Sequence, residues 1–101
     1  MAIPKRSEIK PVILAALADA KEHSSPKLQK TAANHFRLTT DELAERRGPH
    51  FAFENEHAFA LNLLVQERLI GLVDPASRVY KATRRGLDEA TSTGFELRGR
   101  R

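Results

Sequence analysis

The chain lacks cysteine altogether. No disulfide scaffold, thiolate zinc site or cysteine nucleophile can therefore be built from it, and the absence reads as a cytoplasmic protein of a reducing compartment. Long apolar runs are also missing: the longest apolar-leaning stretch, Ala58 to Val65, is interrupted by Asn62 and is far too short to span a bilayer. Met1 to Arg6 is basic, but the residues after it follow an amphipathic helical pattern and not the apolar run of a signal peptide. The five glycines (48, 71, 86, 94 and 99) are scattered, so no glycine-rich phosphate loop exists. His23, His35, His50 and His57 show neither the i, i+4 spacing nor the carboxylate pattern of a zinc site, and each is expected to be a surface or half-buried histidine. Ser24 and Ser25 lie near His23 but lack a partner acid for nucleophilic catalysis. The expectation is a protein without cofactor or metal that is not an enzyme.

What is present suits one small domain. The chain has 101 residues, 41% apolar and 30% charged, enough for a single core of three or four short elements. Seventeen Lys and Arg against thirteen Asp and Glu give a net charge of +4, which fits an anionic partner without proving one. The charge is uneven. Residues 1–30 hold six basic and three acidic residues, 31–57 hold three and five, and 58–101 hold eight and five.

Periodicity predicts helix, helix, helix, hairpin, helix. Ser7 is a candidate cap for a first helix in which Ile9, Val12, Ile13, Ala16, Leu17 and Ala20 form one buried stripe, with Pro11 early enough to cost little. Lys21 to Ser24 has room for a very short strand. Ser25 as cap with Pro26 at the first helical position starts a second helix, carried to about Phe36 by Leu28 and Ala32. Thr39 to Glu42 matches a capping box, opening a short third helix that Gly48-Pro49 should stop. An extended stretch, His50 to Phe53, then leads to the longest helix, capped by Asn55 and closed by Leu69 and Ile70; Phe59 and Leu63 are placed in its core face. Leu72-Val73 and Val79 to Ala82, joined by the turn Asp74 to Ser77, read as a β-hairpin. Thr83 precedes a last short helix through Leu87 and Ala90. The domain is placed at 1–91 and residues 92–101 are read as a basic, flexible tail, in which Arg98, Arg100 and Arg101 add non-specific affinity for an anion.

This order predicts a mainly α fold with a small β-hairpin (α+β), arranged as a winged helix-turn-helix. In that arrangement the helix before the hairpin enters the DNA major groove and the hairpin, or wing, lies over the backbone or minor groove. The residues also carry a family resemblance. Met1 to Pro4 followed by Pro11 to Asp19, then Phe53-Glu54-Asn55 with Phe59-Ala60-Leu61 and Leu64, and finally Val79 to Gly86, resemble the start, central helix and closing strand of the N-terminal domain of Mrr-type restriction proteins. The resemblance covers about residues 1 to 91 and is loose between Leu28 and Pro49. It implies a winged helix that brings a restriction nuclease to DNA, often modified DNA, the nuclease being a separate C-terminal domain. No PD-(D/E)xK metal site can be assembled from Asp74-Pro75 and Lys81, so the chain is expected to be a stand-alone binding domain or one domain of a larger protein. Glu56 stands where the family leads one to expect an arginine.

Asn55, Asn62 and Gln66 share one stripe of the long helix. Amides pair bidentately with adenine, and Glu56 can accept from the cytosine amino group, although it also suits a helix N-terminus. Arg78, Lys81, Arg84 and Arg85 lie around the hairpin with no acid among them and are the candidate phosphate or minor-groove contacts; a charged, protected edge strand is the bland alternative. Lys27 and Lys30 sit on the first turns of the second helix as candidate backbone contacts. Two functions follow. One is binding of double-stranded DNA, including modified DNA, with a second copy or a nuclease subunit as further partner and no membrane. The other is a protein-interaction or dimerisation winged helix that does not bind DNA, favoured by the apolar girth of the long helix and the acids at its start.

Overall fold

A computed structural model describes residues 3–95 and 97. Helix α1 (Arg6–Ala16) is followed by a single 3-10 turn (Leu17–Asp19), strand β1 (His23–Ser24) and helix α2 (Ser25–Phe36). Helix α3 (Thr40–Ala44) leads into a two-stranded ribbon, β2 (Arg46–Arg47) and β3 (His50–Phe51). Then come α4 (Ala52–Gln66), the hairpin β4 (Ile70–Asp74) and β5 (Val79–Ala82), and α5 (Arg84–Thr93). The fold is α+β, predominantly helical. The expected hairpin is part of a three-stranded antiparallel sheet of order β1-β5-β4, with His23 opposite Tyr80 and Leu72 opposite Tyr80 from the other side.

The core lies where α1 crosses α4. Ile9, Val12, Ile13 and Leu17 on one side meet Phe53, Ala60, Leu61 and Leu64 on the other, all essentially inaccessible to solvent. Each large aliphatic side chain buried in this way contributes about 1.5–3 kcal/mol. Leu28 and Ala32 of α2 close one flank, and Ile70, Tyr80 and Ala82 of the sheet close the end. Among the described residues no helix is long and apolar enough to cross a membrane.

Several boundaries differ from expectation. The cap position of α1 is Lys5, whose N–H donates to the Glu8 carboxylate at 3.1 Å, and Ser7 lies inside the first turn. Pro11 is therefore the sixth helical residue, past the turn whose amides are unpaired anyway, and leaves the Ser7 carbonyl without its helical donor. Ser24, not Ser25, caps α2: its hydroxyl accepts from the Lys27 N–H at 3.4 Å. The Thr39–Glu42 capping box forms as read, with bonds of 2.8 and 3.1 Å, but α3 ends at Ala44 and Gly48-Pro49 instead turns the β2–β3 ribbon. The positive φ of Gly48, 66°, suits glycine there. Because the ribbon delivers the chain at Phe51, α4 begins at Ala52; its first amide donates to the Glu45 carbonyl at 2.9 Å. Asn55 is thus inside the helix and caps nothing, and the extended stretch ends at Phe51.

At its other end α4 stops at Gln66. Arg68 takes a left-handed conformation (φ 62°), and the amides of Arg68 and Leu69 return to the carbonyls of Val65 and Leu64 at 3.0 Å each, a Schellman closure. Leu69 therefore lies in the connection, and Ile70 opens β4. α5 extends to Thr93, so the boundary expected at residue 91 falls inside a helix, and Phe95 and Leu97 pack against the core. Arg98, Arg100 and Arg101 lie outside the described residues.

Candidate nucleic-acid interface

Helix α4 buries Ala52, Phe53, Glu56, His57, Ala60, Leu61 and Leu64. This spacing turns Asn62 and Gln66 fully outward, with Asn55 half-buried beside them. The amide stripe therefore exists as read. Phe59 does not join the core: it is 42% exposed, and the Arg6 guanidinium lies over its ring at 4.1 Å. Leu63 is half-buried and Val65 exposed, so the outward face of α4 mixes amides with apolar side chains.

Glu56 faces the other way. It is 6% exposed, and its carboxylate accepts from the Arg6 backbone N–H at 3.0 Å, from Arg6 Nε and Nη2 at 3.2 and 3.3 Å, and from Arg47 Nη1 at 3.1 Å. A side chain so engaged cannot reach a base edge, which removes Glu56 from the base-reading set. Burial by itself would raise its carboxyl, but the hydrogen bonds from Arg6 and the charges of Arg6 and Arg47 outweigh that and hold it below its ordinary value. A lowered folded-state value means the stabilisation is present above the unfolded-state value and is lost as pH falls through the folded one. Glu56→Gln should cost about 1.5–3 kcal/mol at pH 7, the range for hydrogen bonds to a charged group. Urea titrations at pH 7 and pH 3 check this: the deficit should shrink at the lower pH, and an equal deficit at both would rule out the charge as its source.

The exposed acid at the far end of α4, Glu67, is paired with Lys10 Nζ at 2.8 Å. Of the two acids within α4 and the one that follows it, two are thus matched by arginine or lysine, and only Glu54 is left without an ion-pair partner among the described residues.

The hairpin cations separate into two groups. Arg78 ends the turn in a left-handed conformation (φ 54°), and its carbonyl accepts from the Ser25 N–H at 2.9 Å, which ties the turn to the start of α2. Its side chain lines a cleft between α2 and α4 together with Lys30. Lys81 is exposed on β5, the middle strand of the sheet, opposite Gly71. β4 and β1 form the edges, so an edge-strand role does not account for it. Arg84 and Arg85 belong to the first turn of α5. Arg85 lines a different cleft, between α1 and α5, beside Lys10, Glu67 and Glu89. The structure therefore joins Lys30 and Arg78 with the flank of α4 and sets Arg84 and Arg85 apart. Lys27 is exposed on the first turn of α2.

His57 is buried, contrary to the expectation of a surface or half-buried histidine. It is 1% exposed, packs 6.2 Å from the Phe53 ring, and its Nε2 makes no hydrogen bond. Burial pushes it down to about 4, the nearby Arg78 charge acts in the same direction, and the Leu28 backbone pulls the other way. The available signal was position: Phe53, Leu61 and Leu64 lie four before, four after and seven after it, in the middle of the buried stripe. The other histidines behave differently. His23 is paired with Asp19 at 2.8 Å, His35 lies against Phe36 and Phe95, and His50 is exposed.

In comparison with known proteins, no family model, no curated protein and no solved structure matches the chain.

Proposed function

We propose that this chain is a winged helix that binds double-stranded DNA, with α4 as the helix offered to the major groove and the β4–β5 hairpin as the wing. The observation that carries the reading is the meeting of three elements at one cleft: α2 brings Lys30, the hairpin turn brings Arg78 on a backbone fixed to α2, and α4 brings its flank, with Asn62 and Gln66 facing outward beside it. Phosphate-positioning cations next to base-reading amides are what a DNA interface needs. The strand order β1-β5-β4, with the long helix immediately before the hairpin, suits the same assignment. Pairing of Glu56 and Glu67 with arginine and lysine weakens the electrostatic objection to α4 approaching phosphates.

Removing Arg78 and Lys81 together, as Arg78→Asn with Lys81→Ala, is expected to weaken binding on every duplex sequence alike. The slope of log affinity against log salt should flatten by about 1 for each phosphate deprived of its cation. Asparagine tolerates the left-handed turn, which keeps the wing in place. Fluorescence anisotropy across a salt series measures both quantities, and unchanged affinity and slope would take the wing out of the interface.

The narrower reading, a target-recognition domain of a restriction system that senses modified DNA, is supported by the resemblance at residues 1 to 91. Paired unmodified and methylated duplexes test it: preference for the methylated one is expected, and equal binding leaves a general DNA-binding domain. A second reading, a protein-interaction or dimerisation winged helix, is favoured by the exposure of Phe59 and Val65 on α4 and of Leu72 and Val73 on the hairpin. Self-association that is indifferent to salt, with no duplex binding at low salt, would establish that reading in place of the first.

A further inference from the structure

The cleft between α2 and α4 has a volume of about 620 Å³. Ala33, Leu43 and Ala58 form its apolar walls, and Lys30, Arg78 and Glu54 bring charge to it from α2, the hairpin turn and α4. Lys30 and Arg78 are exposed, and among the described residues neither has an ion-pair partner. The start of α2 does not supply the attraction for an anion. Its first amide is spent on the Arg78 carbonyl at 2.9 Å, Pro26 has none, and the Lys27 amide is spent on Ser24 Oγ at 3.4 Å. The unusual member of the lining is His57, 1% exposed and with Nε2 lacking any hydrogen bond. A buried polar atom left without a partner among the protein's own groups calls for an explanation.

We propose that this cleft is a binding site for a phosphate group, with Lys30 and Arg78 supplying its counter-charge and the buried His57 ring more readily protonated while the phosphate is bound. Two cations against one acid, Glu54, leave the lining net positive and able to attract an anion, with Ser25, Gln29 and Asn34 as further polar groups, and the buried imidazole is the group whose charge state the anion changes. Burial and the Arg78 charge, outweighing the Leu28 backbone hydrogen bond, favour the neutral ring. A phosphate offsets the field of Arg78 and adds negative charge near the ring, so the protonated form gains. Of the other charged residues lining the cleft, Lys30 opposes the proton, whereas Glu54 favours the proton and opposes the phosphate; Leu43 of α3 has no charge. Affinity for phosphate therefore rises as pH falls. The inference goes beyond the DNA-binding reading and stands without it, since the phosphate can belong to a nucleic-acid backbone or to a mobile ligand.

The test follows the His57 ring by NMR from pH 3 to 7 in the full chain, in chloride and in inorganic phosphate at equal ionic strength. The titration midpoint of His57 is expected to rise by about one pH unit or more in phosphate. The rise should vanish in the surface variant Lys30→Ala with Arg78→Asn, which leaves the core intact. A midpoint unmoved by phosphate overturns the proposal, and so does an equal rise in the double variant. The source of the phosphate is read separately. Duplex binding several-fold weaker in phosphate than in chloride places the DNA backbone in the cleft, and equal binding assigns it to a mobile ligand. A His57 response with no duplex binding at all keeps the phosphate site and removes the DNA-binding reading.

Discussion

Gly86→Ala is expected to lower stability by about 3 kcal/mol or more, at or beyond the upper end of what overpacking costs. Gly86 lies in the first turn of α5, and a Cβ there would collide with the carbonyl oxygen of Leu69 in the α4–β4 connection. Neither side can yield cheaply. The Leu69 carbonyl accepts from the Thr83 N–H at 3.0 Å, Thr83 Oγ1 donates to the Arg68 carbonyl at 2.6 Å, and the same oxygen accepts from the Gly86 N–H at 3.1 Å. The cap of α5 and the closure of α4 are therefore one bonded unit, and an added methyl group must break it or push α5 off α1. In a domain of this size the loss corresponds to a fall in melting temperature of more than about 10 °C. Thermal unfolding measures it, and a melting temperature within about 2 °C of the parent would show that α5 can shift freely. Gly71→Ala is the control, because nothing lies within 4 Å of the added carbon; its effect should stay within about 1 kcal/mol.

The second large effect is one of pH. His57 is held neutral, with its value pushed down to about 4, whereas an unfolded histidine titrates near 6.5. Between these values the unfolded chain binds a proton that the folded chain refuses, so stability falls as pH is lowered from about 6.5 towards 4 and levels off below. Integrated over that window the loss is about 3 kcal/mol, a large share of the stability of a small domain. The Glu56 contribution is lost further into acid, because its carboxyl lies below the ordinary carboxylate value. Urea unfolding at pH 7 and pH 4.5 tests the assignment against His57→Leu, which cannot titrate. The parent should lose about 2 kcal/mol more than the variant over that interval, and equal losses would place the acid sensitivity elsewhere.

The elements most readable in the residues are those fixed by local chemistry. The Thr39–Glu42 capping box forms where expected, and the α1 stripe holds from Ile9 to Leu17 but not at Ala20, which is exposed beyond the helix. The hairpin turn lies one residue later than expected, at 75–78, with Asp74 ending β4, and Thr83, expected just before the last helix, caps it. The misreadings share a different cause. Arg37 and Arg68 occupy the left-handed positions that close α2 and α4, where glycine is the usual signal, so the end of α4 gave no local cue. The β2–β3 ribbon pairs Arg46 and Arg47 with Phe51 and His50, a pairing that no propensity announces. It moved the cap of α4 by four residues, from Asn55 to Phe51, and turned Asn55 into an interior residue. At the site, the outward turn of Asn62 and Gln66 followed from the helical period. The engagement of Glu56 did not, because its partners Arg6 and Arg47 are set by how α1 and the ribbon pack.

The pairing of α1 with α4 also governs how the chain reaches this fold. Arg6 and Glu56 are 50 residues apart in sequence, and Lys10 and Glu67 are 57 apart. The main core interface thus closes a loop containing α2, α3 and the β2–β3 ribbon, while α4, the hairpin and α5 follow one another locally. Loop-closure entropy must be spent before that interface returns anything, which slows folding relative to a bundle of sequential neighbours.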